Sequence, residues 1–214
     1  HIDPAKVKTR KALAALPVTR KSDLGPLQKE RPPLGGLNAT PVEKLNKLFI
    51  SPGPIYEPEG RGRDWWRTAR GLFAGGFRKG DRVANTFAYH FTPAGSMMEA
   101  GALALGCTVV PTGVGQTEIQ AAAIRDLGIN GFIGTPSFLK LIVEKADELK
   151  LDISCLKKAH VGAEYLSPAL RKAMQDRGIS GGWTAESLAR HTQTVIQGAF
   201  VLAKAGKPIT SPTA

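Results

Sequence analysis

The chain has 214 residues, 42% of them hydrophobic and 22% charged, which excludes disorder, collagen-like repeats and disulfide-stapled miniature scaffolds and leaves enough length to bury a core. Lys and Arg number 29 against 18 Asp and Glu, a net charge of +11. These basic residues are scattered and accompany no RNP-like or zinc-finger motif, so the charge argues against a nucleic-acid partner and for balancing acids elsewhere in a longer protein.

Residues 1–61 read as an irregular lead-in, because prolines from Pro4 to Pro58 interrupt any long helix or central strand. From residue 62 to 180 the pattern becomes a regular alternation. A helix is predicted over Asp64–Phe77 with Asp64 as its cap, and a strand over Arg82–Ala88. Helix Pro93–Leu105 follows, stopped by Gly106, then strand Cys107–Pro111 and helix Thr117–Leu127. Strand Gly131–Gly134, helix Ser137–Leu149, strand Ala159–Gly162 and helix Pro168–Asp176 complete the run. Strands alternating with helices across short Gly/Pro links predict an α/β fold: a doubly wound, mostly parallel sheet with flanking helices. Residues 181–214 change register again, with one long helical pattern at Ala185–Ala205 and a polar tail after Gly206.

Cys107 and Cys155 stand in no CxxC or Cys/His ligand spacing, which excludes a zinc site or disulfide framework and fits a reducing cytoplasm. His1, His160 and His191 show no metal spacing either, so no metal ligand is assigned. No apolar run reaches the roughly 20 residues of a membrane span, and no secretory signal pattern is present. The first residue is His1 rather than Met, so a start further upstream is expected.

Ligands of open parallel sheets bind beyond the carboxyl ends of the strands, so the segments after each strand are the places for chemistry. Tyr89, His90 and Phe91, with Phe87 before them and Thr92 after, offer an apolar wall with polar tips suited to an aromatic or acyl group. Gly113, Gly115 and Gly162 allow close backbone approach of a flat ring or a phosphate. Gly134, Thr135, Pro136 and Ser137 form a strand-to-helix turn whose hydroxyls and amides can meet an anion. Glu164, after Gly162 and Ala163, can meet a ribose, an adenine amine or a cation, or can serve as a solvated cap acid. His90 has no paired carboxylate or nucleophile motif, and no catalytic residue is assigned. Neither GxxxxGK[ST] nor GxGxxG occurs between a strand and a helix.

At several of these stretches the sequence resembles the phenylacetate–CoA ligase branch of the adenylate-forming, AMP-binding enzymes. The stretches are Leu16–Lys21, Ser51–Gly60 (SPGPIYEPEG), Gly80–Gly95 (GDRVANTFAYHFTPAG), Glu99–Gly106, Pro111–Gln120 (PTGVGQTEIQ), Gly134–Lys140 (GTPSFLK) and Val161–Glu164, in order and spacing over about residues 3–179. The resemblance implies part of that family's N-terminal domain, with ATP, Mg²⁺ and CoA as cofactors and a small aryl or acyl carboxylate as partner. It implies activation of that acid as an acyl-adenylate, then thioester formation. It places Gly162, Ala163 and Glu164 against the nucleotide, Phe87–Thr92 along the carboxylate pocket, and Gly134, Thr135, Pro136 and Ser137 at its border.

Two departures qualify it. Where the family carries a Ser/Thr/Gly-rich phosphate loop with a Lys, this chain has Pro52, Pro54 and Pro58 with Glu57 and Glu59, which offer few donors and the wrong charge for a triphosphate. The family's later motifs do not follow Ile179, so truncation is expected; Ala185–Ala205 is instead similar to a segment of tetracycline-repressor-type regulators. The expectation is a ligase fragment inactive on its own. A non-catalytic α/β small-molecule-binding module or a regulator-type fusion stands as the alternative, and a homo-oligomer is left open.

Overall fold

The structure is a computed structural model that describes residues 3–179. The helix expected at Ala185–Ala205 and the tail after it lie outside the described residues.

The proline-rich lead-in is more ordered than its composition suggests. Thr9 caps a short helix α1 (Arg10–Ala14) by accepting from the Ala12 N–H. A ten-residue helix α2 (Lys21–Glu30) follows with Pro26 inside it. Ser51–Gly60 is no open loop: strands β1 (Lys47–Ser51) and β2 (Ile55–Glu59) form an antiparallel hairpin, pairing Ser51 with Ile55 around Pro52-Gly53-Pro54. The prolines are tolerated because they occupy the turn and a two-stranded ribbon outside the main sheet. The Gln28 side-chain amide ties α2 to this hairpin, donating to the Tyr56 carbonyl at 2.8 Å and accepting from the Tyr56 N–H at 2.9 Å.

Glu59 does not present its charge to solvent. It is 4% exposed, and its carboxylate accepts from Asn46 Nδ2 (3.0 Å), Trp66 Nε1 (2.9 Å) and Ser96 Oγ (2.7 Å). Burial raises its pKa, but these hydrogen bonds and the Lys47 ammonium outweigh that and hold it below the usual carboxylate value. Trp65 lies over Gly60, where a Cβ would come within 2.4 Å of the indole ring. Drawing both tryptophans toward the hairpin breaks the helix expected from Asp64. Asp64 and Arg67 take positive φ (51° and 61°), and helix α3 spans only Ala69–Ala74. Asp64 still acts near its start, accepting from the Ala69 N–H at 3.2 Å.

The main sheet has four parallel strands. They are β3 (Arg82–Asn85), β4 (Thr108–Val110), β5 (Gly131–Gly134) and β6 (Lys158–Val161), in the order β4-β3-β5-β6. Connecting them are α4 (Ala94–Leu105), α5 (Thr117–Asp126) and α6 (Pro136–Glu148), with α7 (Pro168–Asp176) last. Side chains alternate across the sheet. Val83 and Ile133 pack with Leu72, Phe77 and Ala102 on one face, while Ala84 and Phe132 pack with Ile124, Leu139 and Ile142 on the other. Gly106 ends α4 in the left-handed region, and Thr135 and Ser167 cap α6 and α7 through their hydroxyls.

At the amino ends of the strands Asp81 accepts from the Arg78 N–H, from Asn130 Nδ2 at 2.9 Å and from Lys158 Nζ at 2.9 and 3.1 Å. Lys158 also donates to the Gly76 carbonyl, with its ammonium 5.9 Å from the Phe77 ring centroid. This cluster staples the starts of β3, β5 and β6 together. Among the described residues no helix is long and apolar enough to cross a membrane.

Candidate functional site

The strand order reverses between β3 and β5. The chain leaves β3 toward β4 on one side and leaves β5 toward β6 on the other, which opens a crevice outside the carboxyl ends of these two strands. Every segment singled out from the sequence rises on this rim.

Asn85 closes β3 and has no solvent exposure, so its amide must be satisfied internally. Its Nδ2 donates to Tyr89 Oη and to the Gly95 carbonyl, both at 2.8 Å. Its own carbonyl accepts from the Gly113 N–H at 3.1 Å and the Thr112 hydroxyl at 3.2 Å. One residue thereby gathers the loop after β3, the start of α4 and the loop after β4. The strand ends at Asn85 rather than at Ala88, and Thr86 carries its pairing one step further, donating from both its N–H and its hydroxyl to the Ile133 carbonyl (2.8 and 2.9 Å). Thr86 also explains Gly134: a Cβ at that position would lie 2.0 Å from the Thr86 hydroxyl.

The segment Phe87–Thr92 follows β3 at this rim, with Phe87 partly buried against the core cluster of Leu72, Phe77 and Ile133. Phe91 is held at φ 57° while its carbonyl accepts from the Ile50 N–H of β1 at 2.9 Å, and the residue is 75% exposed. A bulky residue in the left-handed region is strained, and the hairpin is what holds it there. Tyr89 is half-buried; burial, then the negative charge of Glu99, raise its hydroxyl well above the ordinary tyrosine range, so it stays a neutral hydrogen-bonding group. His90 is exposed and makes no side-chain hydrogen bond with the described residues.

The neighbouring part of the rim is built by β5 and β6. Thr135 Oγ1 accepts from the Phe138 N–H at 3.3 Å and lies 3.2 Å from Ser137 Oγ, with Pro136 in the first turn of α6. Gly162 extends the β6 pairing by donating to the Gly134 carbonyl at 3.1 Å. Ala163 then takes φ 66°, and this turn brings Glu164 Oε2 to 3.3 Å from the Ser137 N–H. The structure thus brings Gly162, Ala163 and Glu164 against Gly134, Thr135, Pro136 and Ser137, with Ala163, Glu164 and Ser137 exposed at the rim. Gln120 holds the third loop, donating from Nε2 to the Gly113 and Gly115 carbonyls at 2.9 and 2.8 Å.

Asn85, Gln120 and Ile50 are the positioning residues that sequence reasoning missed. A polar Asn at the carboxyl end of an apolar strand was the available signal for the first. Nothing local marks the other two. Among the described residues no cluster of three or more His, Cys, Asp or Glu could hold a metal ion.

A family model described as AMP-binding enzyme matches residues 63–212. The phenylacetate-coenzyme A ligase of Aromatoleum evansii is 34% identical over 185 residues, covering 82% of this chain and 41% of that protein. The ligase of the same name from Thermus thermophilus is 31% identical over 192 residues, covering 83% of this chain and 41% of its own length. The chain therefore spans about 41% of the length of these curated relatives. Among solved structures, a 2-hydroxyisobutyryl-CoA ligase in the postadenylation state with 2-HIB-AMP superposes with a TM-score of 0.74 at 24% identity, covering 83% of this chain and 40% of that one; this likeness speaks for the fold.

Proposed function

Since this chain belongs to the AMP-binding enzyme family, we propose that it carries the acid- and nucleotide-binding crevice of an acyl- or aryl-CoA ligase-like protein and that its own residues bind without turning over. The observation that carries this reading is the Glu164–Ser137 contact at the carboxyl ends of β5 and β6, on the same rim from which the Phe87–Thr92 segment leaves the neighbouring strand β3. In the proposal an aryl or acyl carboxylate lies between these segments, with its apolar body on Phe87, Tyr89 and Phe91. Gly134–Ser137 border it, and the polar tips of His90 and Thr92 edge the opening. Adenine rests on the Gly162–Ala163 backbone, and Glu164 accepts from its amine.

The residues present fit the adenosine end of ATP better than its phosphates. The turn at residues 52–54 has two prolines without N–H donors, and Glu59 is sealed in its own hydrogen bonds. In this proposal the hairpin therefore takes no part in a phosphoryl step. In the family's chemistry, bound ATP and Mg²⁺ turn the acid into an adenylate that CoA then captures. The chain's part in this proposal is to orient the acid and exclude water from it.

The same hairpin favours a second reading, a binding module that retains the acid pocket and has lost ATP. Calorimetry with phenylacetate, AMP and ATP separates the two. Heat with the acid and AMP supports the first, heat with the acid alone supports the second, and no heat with any of them overturns both.

A further inference from the structure

We infer that the exposed outer face of α5 is the docking surface for this chain's own carboxyl-terminal segment, with the stripe Ile119, Ala123 and Leu127 receiving residues 195–203. The stripe residues follow one another at four-residue intervals along one side of the helix, and Leu127 closes it. Ile119 is 64% exposed and Leu127 48%, with Ala123 half-buried between them. The opposite side of α5, with Ala121 and Ile124, already fills the core. The described residues therefore leave a row of apolar side chains largely uncovered on one helix face.

The place where the described chain ends favours this occupant. Ile179 is buried in the same cluster as Ile124 of α5, and the Cys155 thiol of that cluster donates to the Ile124 carbonyl at 3.4 Å. The chain thus leaves the body on the face of the sheet that α5 covers. Fifteen residues separate Ile179 from Val195, and with 185–194 helical they still span about 30 Å, twice the length of α5. Residues 195–203 read VIQGAFVLA, with Val195, Ile196, Ala199, Leu202 and Ala203 on the common face of the helical pattern. A helix rises about 12 Å over eight residue steps, so the stripe from 119 to 127 and the segment from 195 to 203 match in length. Gly198 and Ala199 are small, which lets the segment approach Ala123 closely.

Charge selects this face over the exposed Phe73 and Leu103, whose helices α3 and α4 cover the other face of the sheet. Residues 180–214 carry Arg190, Lys204 and Lys207 against Glu186 alone. Helices α5 and α6 carry five acids against three bases, and Glu118, next to Ile119, is in no ion pair among the described residues. Residues 61–79, which include α3, carry six bases against Asp64. A positively charged segment is drawn to the first surface and repelled by the second.

The test is photo-crosslinking of the full chain carrying Ile119→p-benzoylphenylalanine, read by mass spectrometry after trypsin. The expected product is a link within one chain to the tryptic peptide 191–204, which holds the whole segment between Arg190 and Lys204. Leu127→p-benzoylphenylalanine, at the other end of the stripe, should reach the same peptide, and Phe73→p-benzoylphenylalanine on α3 should not. All three positions are exposed, so an unchanged far-UV spectrum is expected in each variant. Val195→Gln with Leu202→Gln should lose the link, because it strips the segment's apolar face and leaves α5 untouched. A link joining two copies of the chain would make a second copy the occupant and overturn the assignment. Links confined to residues 3–179, equal yield from the α3 position, a yield unchanged by the double Gln variant, or no link from either end of the stripe would each overturn it as well.

Discussion

Glu164 Oε2 lies 3.3 Å from the N–H of Ser137, so the turn after β6 is docked on the first turn of the helix after β5. A carboxylate near a helix amino terminus is stabilising but exposed here, so its contribution to folding is small. Glu164→Ala should cost less than about 1 kcal/mol of stability while weakening AMP binding several-fold. Chemical denaturation and calorimetry on the same variant check the two halves.

Asn85→Ala removes one donor group that serves two acceptors, Tyr89 Oη and the Gly95 carbonyl. Leaving buried polar groups unpaired costs on the order of 1–3 kcal/mol each, so a loss of about 3 kcal/mol is expected in urea denaturation. Tyr89→Phe deletes only the hydroxyl and should cost less, because Asn85 keeps its bond to Gly95.

Lys158→Met leaves Asp81 with the Arg78 N–H and Asn130 but without its counter-ion, in a pair whose side chains are 18% and 10% exposed. Breaking such a pair is expected to cost about 3 kcal/mol. Asp81→Asn in the same background should recover part of it, and a double-mutant cycle gives the coupling. Burial raises the Asp81 pKa, but the Arg78, Lys158 and Asn130 hydrogen bonds outweigh it and hold the group below the usual Asp value. The stability this supplies is present above the ordinary Asp range and is lost as pH falls toward the lowered value.

His160 is buried on β6 beside Gly71, its Nδ1 has no partner among the described residues, and burial pushes its pKa from 6.5 to about 4. The unfolded chain therefore takes up a proton at higher pH than the folded one. Stability from this residue is full above about pH 6.5 and drains away as pH falls toward 4, by about 3 kcal/mol in all. His160→Leu should flatten the stability profile between those pH values, as read by urea midpoints.

The sheet was legible in the sequence because its signals are local. Gly131–Gly134 and Pro168–Asp176 have the same bounds in sequence and structure, since an apolar run between turn residues marks the strand and a Ser-Pro start marks the helix. The helix expected at Asp64 failed because its first turn is pulled away by partners distant in sequence, with Trp66 bonded to Glu59 and Trp65 seated on Gly60. The hairpin was hidden for a related reason. Proline content argued against regular structure, and the Gln28–Tyr56 and Ile50–Phe91 bonds that anchor it span 28 and 41 residues. Of the candidate site, the residues on the rim were readable and the buried amides that position them were not.

The central claim is that the acid and the adenosine meet in the crevice between β3 and β5. A sulfamate analogue of phenylacetyl-adenylate, titrated into the full chain while amide shifts are followed, tests it most directly. The account predicts that Phe91, Gly134, Ser137 and Glu164 move together on one binding curve, while Gly25 and Gly53 stay still. Saturating analogue with none of those four amides displaced would contradict it.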